Sequence, residues 1–437
     1  MANSKSKPST DIAAYVRERL KQHVKPGQRA CVALSGGMDS VSLMHATIAV
    51  SKQLQLDSVT AIHVHHGLSP NADAWEAFCR RVCEDCGIPI VICRVSVNPK
   101  GEGVEAAARS ARYGAFDQSD SDWILLGHHR NDQAESLLLN ILRGSGVHGA
   151  AGIKERRGRF LRPLLGVSRA HIEEYARWNA LGWIDDESNA SHDFTRNFLR
   201  NKVIPLIEQK IPQASASLTR AASMFAEAAD LLDQMAADDL GNERRLSIAR
   251  LRSLPNSRAA NLLAFYLRRE GVQIPSSATL SELLRQLVGA GLDNDILFLM
   301  GDYEIRCFQS YVCVDRRGEA VTDVEWNGES ALRWGSYQLC SRRVIGDGID
   351  TSLLGSQTLR FSVRQGGEVI QQREAGPHRA IKDLLREAGI PPWRRKCMPI
   401  LFAGNEVVWL PYFGVAAQYR CKPDAAGILI EFDGLTW

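Results

Sequence analysis

The chain has 437 residues, of which 45% are hydrophobic and 24% are charged, with a formal net charge of +3. This is the composition of a soluble globular protein, and the length predicts several domains. The first ten residues are polar, and no apolar run approaches the ~20 residues of a membrane helix. Ten cysteines without a secretory signal indicate reduced thiols. We therefore expect a cytoplasmic protein of three domains.

The first 205 residues or so alternate apolar strands with helices. Strands are expected at 29–34, 58–63, 90–95 and 123–126, with helices between them. This alternation predicts an α/β fold, a Rossmann-like parallel sheet with helices on both faces. We place this first domain at 1–213.

A serine- and glycine-rich segment joins the first strand to the first helix of this alternation. It reads Ser35-Gly36-Gly37-Met38-Asp39-Ser40. A helix N-terminus attracts anions, the glycines admit a phosphate, and the serine hydroxyls can donate to it. Asp39 would repel a phosphate unless a divalent cation lay between them, which predicts magnesium. A Walker A loop would require a lysine that is absent here, and an ordinary βα turn is the plain alternative.

A second constellation follows the strand at 123–126. It reads Gly127-His128-His129-Arg130-Asn131-Asp132-Gln133-Ala134-Glu135. Asp132 and Glu135 share a face of the next helix, a pair suited to magnesium or a cationic amine. Ligands of parallel sheets lie at the carboxyl ends of the strands, so both motifs should face one crevice.

Arginines and histidines complete the predicted crevice. Arg109 and Arg112 share a helix face and suit a polyphosphate, unless they pair with Glu105 or solvent. After the second strand, His63, His65 and His66 are candidates for an adenine pocket or for metal ligands. The adenine pocket is favoured, because no cysteine or carboxylate makes the three histidines a compact zinc set.

The rest of the chain predicts two further domains. An alanine-rich stretch at 214–240 indicates one long helix, helical patterns continue to 288, and a hairpin is expected across 303–314. This makes 214–331 a mostly helical middle domain. Short runs of Gly, Ser, Thr, Val and Trp follow, with one helix expected at 378–388. They predict a small α+β domain at 332–437. Basic clusters at 154–159, 342–343 and 394–396 are candidates for phosphate contacts.

The loop at 35–40 resembles the PP-loop of the N-type ATP pyrophosphatases, which cleave ATP to AMP and pyrophosphate. The chain as a whole resembles the bacterial tRNA(Ile)-lysidine synthetase family, in segments that occur in the family's order. They are SGGMDS at 35–40, AARSARY at 107–113, LGHHRNDQAES at 126–136, LRGSG at 142–146, RPLL at 162–165, DDESN at 185–189, RNFLR at 196–200, RQGGE at 364–368, IKDLL at 381–385 and IPPWR at 390–394.

The resemblance implies a reaction and its partners. ATP adenylates the C2 oxygen of the wobble cytidine in the CAU anticodon of tRNA(Ile), L-lysine displaces AMP, and the lysidine formed switches decoding from AUG to AUA. It also implies Mg²⁺ as a cofactor. The oligomeric state is left open, with a homodimer as the candidate assembly.

The predicted site residues fall into four sets. The catalytic set is Asp39, Arg112, Asp132 and Glu135. The ATP-binding set is Ser35, Gly36, Gly37, Met38, Asp39, Ser40, His63 and Arg109. The metal ligands are Asp39 and Asp132, and whether Asp132 and Glu135 act on the metal or as a base is left open. The tRNA-binding set is Arg143, Arg196, Arg200, Lys382, Trp393, Arg394, Arg395 and Lys396.

Three other functions are compatible with parts of this pattern. A tRNA thiolase would need a reactive cysteine or an iron–sulfur cluster, and Cys83 and Cys86 have the spacing for one. Their place on an apolar helix stripe at 73–86 favours burial instead. An amidotransferase-type synthetase would need a glutaminase nucleophile that is not visible. A non-catalytic tRNA-binding protein does not explain Asp39, Arg112 and Asp132 together.

Overall fold

The computed structural model describes residues 10–97, 104–185, 195–289, 296–318, 321–335, 337–353 and 358–432. The chain divides into two compact units, Met1–Gln234 and Met235–Trp437. Each unit contains its own buried hydrophobic clusters. Among the described helices, none combines the length and the apolar character needed to cross a membrane.

A six-stranded sheet forms the centre of the first unit. Its strands are β1 (Arg29–Ala33), β2 (Ser58–His65), β3 (Ile90–Arg94), β4 (Trp123–Leu125), β5 (Arg156–Arg157) and β6 (Phe160–Leu161). They lie in the order β3-β2-β1-β4-β6-β5, and all neighbours are parallel except β5 and β6. The carboxyl ends of the parallel strands therefore meet at one edge, where ligands of such sheets bind.

Helices cover both faces of this sheet, as predicted. The helices of this part of the chain are α1 (Ile12–Lys21), α2 (Met38–Ser51), α3 (Ala72–Cys86), α4 (Val104–Asp117), α5 (Arg130–Leu142), α6 (Val147–Ala150), α7 (Arg169–Trp178), α8 (Thr195–Phe198), α9 (Ile204–Lys210) and α10 (Ala214–Leu240), with a π-helical turn, Leu199–Val203, between α8 and α9. Successive side chains of β1 point to opposite faces of the sheet. Ala30 and Val32 join the core beneath α1, α2 and α7, whereas Cys31 packs with Phe116 of α4.

The predicted strands differ from the observed ones mainly at their ends. Strand β2 runs two residues further than expected, to His65, because it stays paired with β3 up to Arg94. The hairpin of β5 and β6 was not predicted, since two-residue strands carry no periodicity and are positioned by the turn at Gly158, whose φ is +59°. Helix α10 has the predicted bounds.

The second unit begins with helices and a small antiparallel sheet. These elements are α11 (Ile248–Ser253), α12 (Asn256–Arg269), α13 (Ser277–Gly289), β7 (Leu297–Met300), β8 (Tyr303–Phe308) and β9 (Tyr311–Arg316). Leucines of α12 and α13 pack with Ile305 and Val312 of the sheet in one core. The predicted hairpin is therefore present, and β7 adds a third strand to it.

The remainder of the second unit is rich in strands. Its elements are β10 (Val324–Trp326), β11 (Ala331–Trp334), β12 (Tyr337–Ile345), β13 (Ile349–Asp350), β14 (Leu359–Ser362), β15 (Val369–Ile370), β16 (Arg379–Ala380), α14 (Ile381–Glu387), α15 (Pro392–Cys397), β17 (Ile400–Ala403), β18 (Glu406–Leu410), β19 (Gly414–Val415) and β20 (Ala426–Phe432). They form a five-stranded sheet, β10-β14-β17-β18-β19, and a four-stranded sheet, β11-β12-β20-β13. This region is α+β, as expected.

Two details of this region differ from the sequence-based expectation. The helix expected at 378–388 begins only at Ile381, because Arg379 and Ala380 pair with β15. Strand β10 belongs to the C-terminal sheet although it precedes residue 332, where we placed the boundary. The three domain ranges themselves stay a prediction.

Candidate active site

The loop between β1 and α2 is held by its own serines. The Ser35 N–H donates to Ser40 Oγ at 3.2 Å, Ser40 Oγ donates to the Gly37 carbonyl oxygen at 2.9 Å, and the Gly37 N–H donates to Ser35 Oγ at 3.3 Å. Gly36 has a φ of +87°, and a Cβ there would lie 2.9 Å from Ile184 Cδ1. The conformation of the loop therefore requires glycine at position 36.

Helix α2 starts directly after this loop, with Gly37 as its N-cap and Met38 as its first residue. N–H groups of a first helical turn have no partner within the helix and carry the positive end of the helix dipole. The loop and the helix start thus have a geometry suited to an anion, and their role as a phosphate cradle stays a prediction. Contact of these residues with ATP stays a prediction.

Asp39 lies beside this cradle and has an unused ligand atom. Its Oδ2 is 3.6 Å from His129 Nε2, and its Oδ1 is buried without a hydrogen-bond partner among the described residues. The backbone at residue 127 lies close to the backbone of Asp39. Glycine allows this, because a Cβ at residue 127 would lie 3.2 Å from the Asp39 carbonyl carbon. A carboxylate oxygen of this kind suits a hard cation such as Mg²⁺.

Asp132 and Glu135 lie together at the start of α5, and both are almost fully buried, at 7% and 1% exposure. Arg200 donates to Asp132 Oδ1 at 2.8 Å and to Glu135 Oε1 at 2.7 Å. Arg196 donates to the same Asp132 oxygen at 3.2 Å and to Glu135 Oε2 at 3.0 Å. Two carboxylates and two guanidiniums therefore form one compact network, which orients both carboxylates.

Electrostatics keep this network charged. Burial works to raise the pKa of Asp132, but the charges of His129 and Arg196 outweigh it and lower the pKa. Burial works to lower the pKa of His129, but the nearby carboxylates of Asp39 and Asp132 raise it. Asp132 is therefore ionised at neutral pH and can attract a cation.

The two arginines expected in the crevice are residues of α4. The Arg109 guanidinium lies 5.3 Å from the Tyr113 ring centroid. Burial and, after it, the positive charge of Arg112 lower the pKa of His66 to about 4, so these two side chains are neighbours. The side chain of Glu105, the alternative partner of these arginines, lies outside the described residues.

His63 is a buried residue at the end of the sheet. Its Nδ1 lies 2.8 Å from the Leu34 carbonyl oxygen, and burial lowers its pKa. The imidazole thus supports the strand end that leads into the loop at 35–40. Contact with adenine stays a prediction.

His65 has carboxylate neighbours that the sequence did not reveal. Its donor atom and those of Asp73 and Glu76 lie within 4.8 Å of one another, the single such group of potential metal ligands in the described part of the chain. Arg94, however, binds Asp73 at 3.1 Å and Glu76 at 2.9 Å. Asp73, Glu76 and Arg94 therefore form one ion-pair cluster beside His65.

Of the three cysteines of α3, Cys79 and Cys83 lie in the hydrophobic core and Cys86 is partly buried against it. Cys79 and Cys83 are fully buried, and the Cys83 thiol points at Met44 Sδ, 3.9 Å away. Burial raises the pKa of Cys79 to about 12 and that of Cys83 to about 11. Such thiols are poor nucleophiles and poor cluster ligands, which disfavours the thiolase alternative.

The residues predicted to bind tRNA differ in their exposure within the first unit. Arg143 is exposed at the C-terminal end of α5. Arg196 and Arg200 are instead engaged by Asp132 and Glu135, so tRNA contact would have to share these ion pairs. Of the segment at 185–189, residues 186–189 lie outside the described residues.

In the second unit, Arg394 corrects the sequence-based expectation. It is 8% exposed, and its Nε donates to Asp315 at 2.6 Å, so it holds α15 against β9. Trp393 is also packed, with its Nε1 2.9 Å from Asp315 and the Arg306 guanidinium 4.9 Å from its ring centroid. A buried arginine with a carboxylate partner is unsuited to a phosphate contact, because its charge is already compensated.

The other basic residues predicted in this unit lie nearer the surface. Lys382 and Lys396 are exposed, and Arg395 is half-buried. Burial lowers the pKa of Arg395, and so do the charges of Arg364 and Arg386. Arg395, Arg364 and Arg386 are therefore neighbours in one positively charged region.

Comparison with known proteins agrees with this arrangement. Family models match in chain order: a PP-loop domain at 8–207, the TilS substrate binding domain at 246–313 and the TilS substrate C-terminal domain at 358–432. The tRNA(Ile)-lysidine synthase of Nitrosomonas europaea is 38% identical, covering 99% of this chain and 98% of its own. That of Azoarcus sp. is 39% identical, covering 93% and 92%. The chain belongs to the tRNA(Ile)-lysidine synthase family.

Similarity to solved structures is weaker. The U34-tRNA thiolase NcsA from Methanococcus maripaludis is 17% identical, with a TM-score of 0.43, covering 49% of this chain and 78% of that one. This likeness is too low to bear on function.

Within the family's PP-loop domain, three residues of the crevice were missed as site residues. Gly127 and His129 connect the loop at 35–40 with the acidic pair, and Arg162 is buried at the end of β6. All three stand in segments that carry the family resemblance. Nothing in their local pattern, however, indicates the packing across the sheet that gives them their positions.

Proposed function

We propose that this protein ligates L-lysine to C2 of the wobble cytidine in the CAU anticodon of tRNA(Ile). ATP is cleaved to AMP and pyrophosphate, and the lysidine product changes decoding from AUG to AUA. The observation that carries the proposal is the meeting of the loop at 35–40, Asp39 and the Asp132–Glu135 pair at one sheet edge, in a member of this family.

The first step activates the cytidine. Its C2 oxygen is a poor leaving group, so it attacks the α-phosphorus of ATP, and pyrophosphate departs. The N–H groups at the start of α2 and the hydroxyl of Ser35 bind phosphate oxygens, while the Ser40 hydroxyl, which donates to the Gly37 carbonyl oxygen, keeps the loop in shape. Arg112, with Arg109 beside it, stabilises the negative charge that develops. His63 borders the adenine.

Asp39 and Asp132 are the residues that would hold Mg²⁺. The buried Oδ1 of Asp39 has no hydrogen-bond partner in the described part of the chain. Buried polar atoms normally have a partner, and a cation bound here would supply one. Bound there, the cation would neutralise phosphate charge and favour departure of pyrophosphate.

The second step joins lysine to the base. The ε-ammonium group binds the Asp132–Glu135 pair and gives up a proton, and the neutral amine then attacks C2. The bond from C2 to the adenylate oxygen breaks, and AMP leaves. Arg196 and Arg200 fix both carboxylates for this task. The proton acceptor is Asp132 or Glu135.

The tRNA binds along both units. An anticodon loop is single-stranded, so its wobble base can be extruded into the crevice at low cost. Exposed Arg143 lies on the first unit, and the basic residues Lys382, Arg395 and Lys396 lie on the second. We place the reaction in the cytoplasm, and a homodimer is the assembly to test.

One assay tests substrate, reaction and specificity together. The purified chain is incubated with ATP, Mg²⁺, radiolabelled lysine and a CAU-anticodon tRNA(Ile) transcript, with elongator tRNA(Met) as the control. Label should enter tRNA(Ile) only, and pyrophosphate release should depend on that tRNA. Absence of label from tRNA(Ile), or equal labelling of both tRNAs, would refute the proposal. Full activity in Asp39→Ala or Asp132→Ala would refute the assigned roles.

A further inference from the structure

Arg162 carries a buried positive charge that no described carboxylate compensates. The residue follows β6 at the carboxyl edge of the sheet and is 4% exposed. Its Nη1 donates to the Lys154 carbonyl oxygen at 2.8 Å, and its Nη2 lies 3.3 Å from the Tyr113 hydroxyl. Its Nε has no hydrogen-bond partner among the described residues. A buried guanidinium with neutral partners alone is costly, so an anion is expected to complete this site.

The neighbours of Arg162 strengthen this expectation. Burial lowers the pKa of the Arg162 guanidinium; Tyr113 opposes this effect, and the positive charges of Arg109 and Arg157 add to it. A second buried polar atom, His128 Nδ1, also has no partner among the described residues. His128 is within electrostatic reach of both Asp132 and Arg162. Two buried nitrogens, Arg162 Nε and His128 Nδ1, are therefore without a hydrogen-bond partner in the described part of the chain.

The position of Arg162 indicates which anion this is. The order β1-β4-β6 puts Arg162 two strands away from the phosphate loop but one strand away from β4, which leads into Asp132. Adjacent strands are about 4.8 Å apart. In extended L-lysine the ε-amine and the α-carboxylate are on the order of 7 Å apart, from ordinary bond lengths. L-lysine is thus long enough to extend from the strand that leads into Asp132 to the neighbouring strand that leads into Arg162, which favours the amino-acid substrate as the source of the anion.

We propose that Arg162, assisted by His128, binds the α-carboxylate of the L-lysine substrate. This inference rests on the proposed function and identifies the end of the lysine pocket opposite the acidic pair. Arg162 then determines specificity: it selects an amino acid over a plain diamine of the same length, because only the amino acid supplies the anion that the buried guanidinium lacks.

The test compares L-lysine with cadaverine, which keeps both amines but has no carboxylate. Incorporation of each labelled amine into tRNA(Ile) is measured with the full chain, ATP and Mg²⁺, for the unmodified protein, for Arg162→Met and for Arg162→Lys. Arg157→Met, a change at an exposed arginine of β5, is the matched control. Pyrophosphate release before addition of amine is measured for each variant.

The unmodified protein should prefer lysine by about 10- to 100-fold in kcat/KM, the usual effect of one charged hydrogen-bonding group. Arg162→Met should lose this preference for lysine because its KM for lysine rises, while its kinetics with cadaverine stay unchanged. Arg162→Lys should keep part of the preference. Arg157→Met should behave like the unmodified protein.

Four results would overturn the inference. Equal losses with both amines would assign Arg162 a purely structural role, and an unchanged preference in Arg162→Met would exclude it from the pocket. Loss of pyrophosphate release before amine is added would assign the anion to a phosphate. Equal use of lysine and cadaverine by the unmodified protein would refute the inference even if the variants do not fold. If neither amine is incorporated, the proposed function fails as well.

Discussion

Gly36→Ala and Gly37→Ala are expected to change stability in opposite directions, although the two glycines are adjacent. Alanine at 36 must adopt a φ of +87°, with its Cβ 2.9 Å from Ile184 Cδ1. The left-handed backbone costs about 1–2 kcal/mol and the overpacking about 1–3 kcal/mol. Restriction of the unfolded chain returns about 0.4–1 kcal/mol. The free energy of unfolding should therefore fall by about 2–4 kcal/mol.

Gly37 has a φ of −72°, which alanine adopts freely, and a Cβ there would meet its nearest atom at 3.5 Å. Gly37→Ala should therefore keep or slightly raise stability, by about 0.4–1 kcal/mol. It should still raise the KM for ATP, because its methyl group would stand where we expect the phosphate.

Thermal unfolding of the full chain measures the difference between these two variants. For a domain of this size about 1 kcal/mol shifts the midpoint by about 2–4 °C, so Gly36→Ala should lower the first transition by roughly 5 to 15 °C. Gly37→Ala should leave it within about 2–4 °C of the unmodified protein. Equal shifts in both variants, or a larger loss for Gly37→Ala, would refute the conformational argument.

Three further outcomes are expected. Asp39→Asn should keep the thermal midpoint but reduce tRNA-dependent pyrophosphate release by about 100-fold or more, and retained release would contradict a metal-binding role. In urea unfolding, Asp315→Ala should cost about 3–5 kcal/mol because it strands a buried arginine, whereas Glu431→Ala breaks an exposed ion pair and should cost about 0–1 kcal/mol. At pH 8, iodoacetamide should label exposed Cys340 and spare Cys79, whose pKa burial raises to about 12; peptide mass spectrometry showing rapid labelling of Cys79 would place it outside the core.

Local patterns were enough to predict the layered α/β fold and the long helix α10. Strand β1 and its neighbours are short apolar runs with β-branched residues, and α10 keeps helical spacing over its whole length. The hairpin of β5 and β6 and the late start of α14 could not be predicted this way. The hairpin depends on pairing of β5 with β6 across a turn, and the start of α14 depends on pairing of β15 with β16. Strands of two residues are too short to show a periodic pattern of apolar residues.

The candidate site was predictable where a motif concentrates its chemistry, as in the loop at 35–40 and the Asp132–Glu135 pair. The partners of these groups were not predictable. Arg196 and Arg200 are more than 60 residues from the carboxylates they bind. The cluster at 394–396 shows the opposite error, since one of its members, Arg394, is buried against Asp315.

By itself, the sequence determined the kinds of groups present and their order: a phosphate loop, a pair of acids on a helix start, and basic segments further along. Those properties follow from residue type and spacing along one element. Only the tertiary structure decided which charges are compensated. Asp132 and Glu135 form ion pairs with arginines. Among the described residues, Asp39 Oδ1 and Arg162 Nε are buried without a hydrogen-bond partner. That outcome depends on burial and distance between remote elements, because charges are costly only when folding removes them from water.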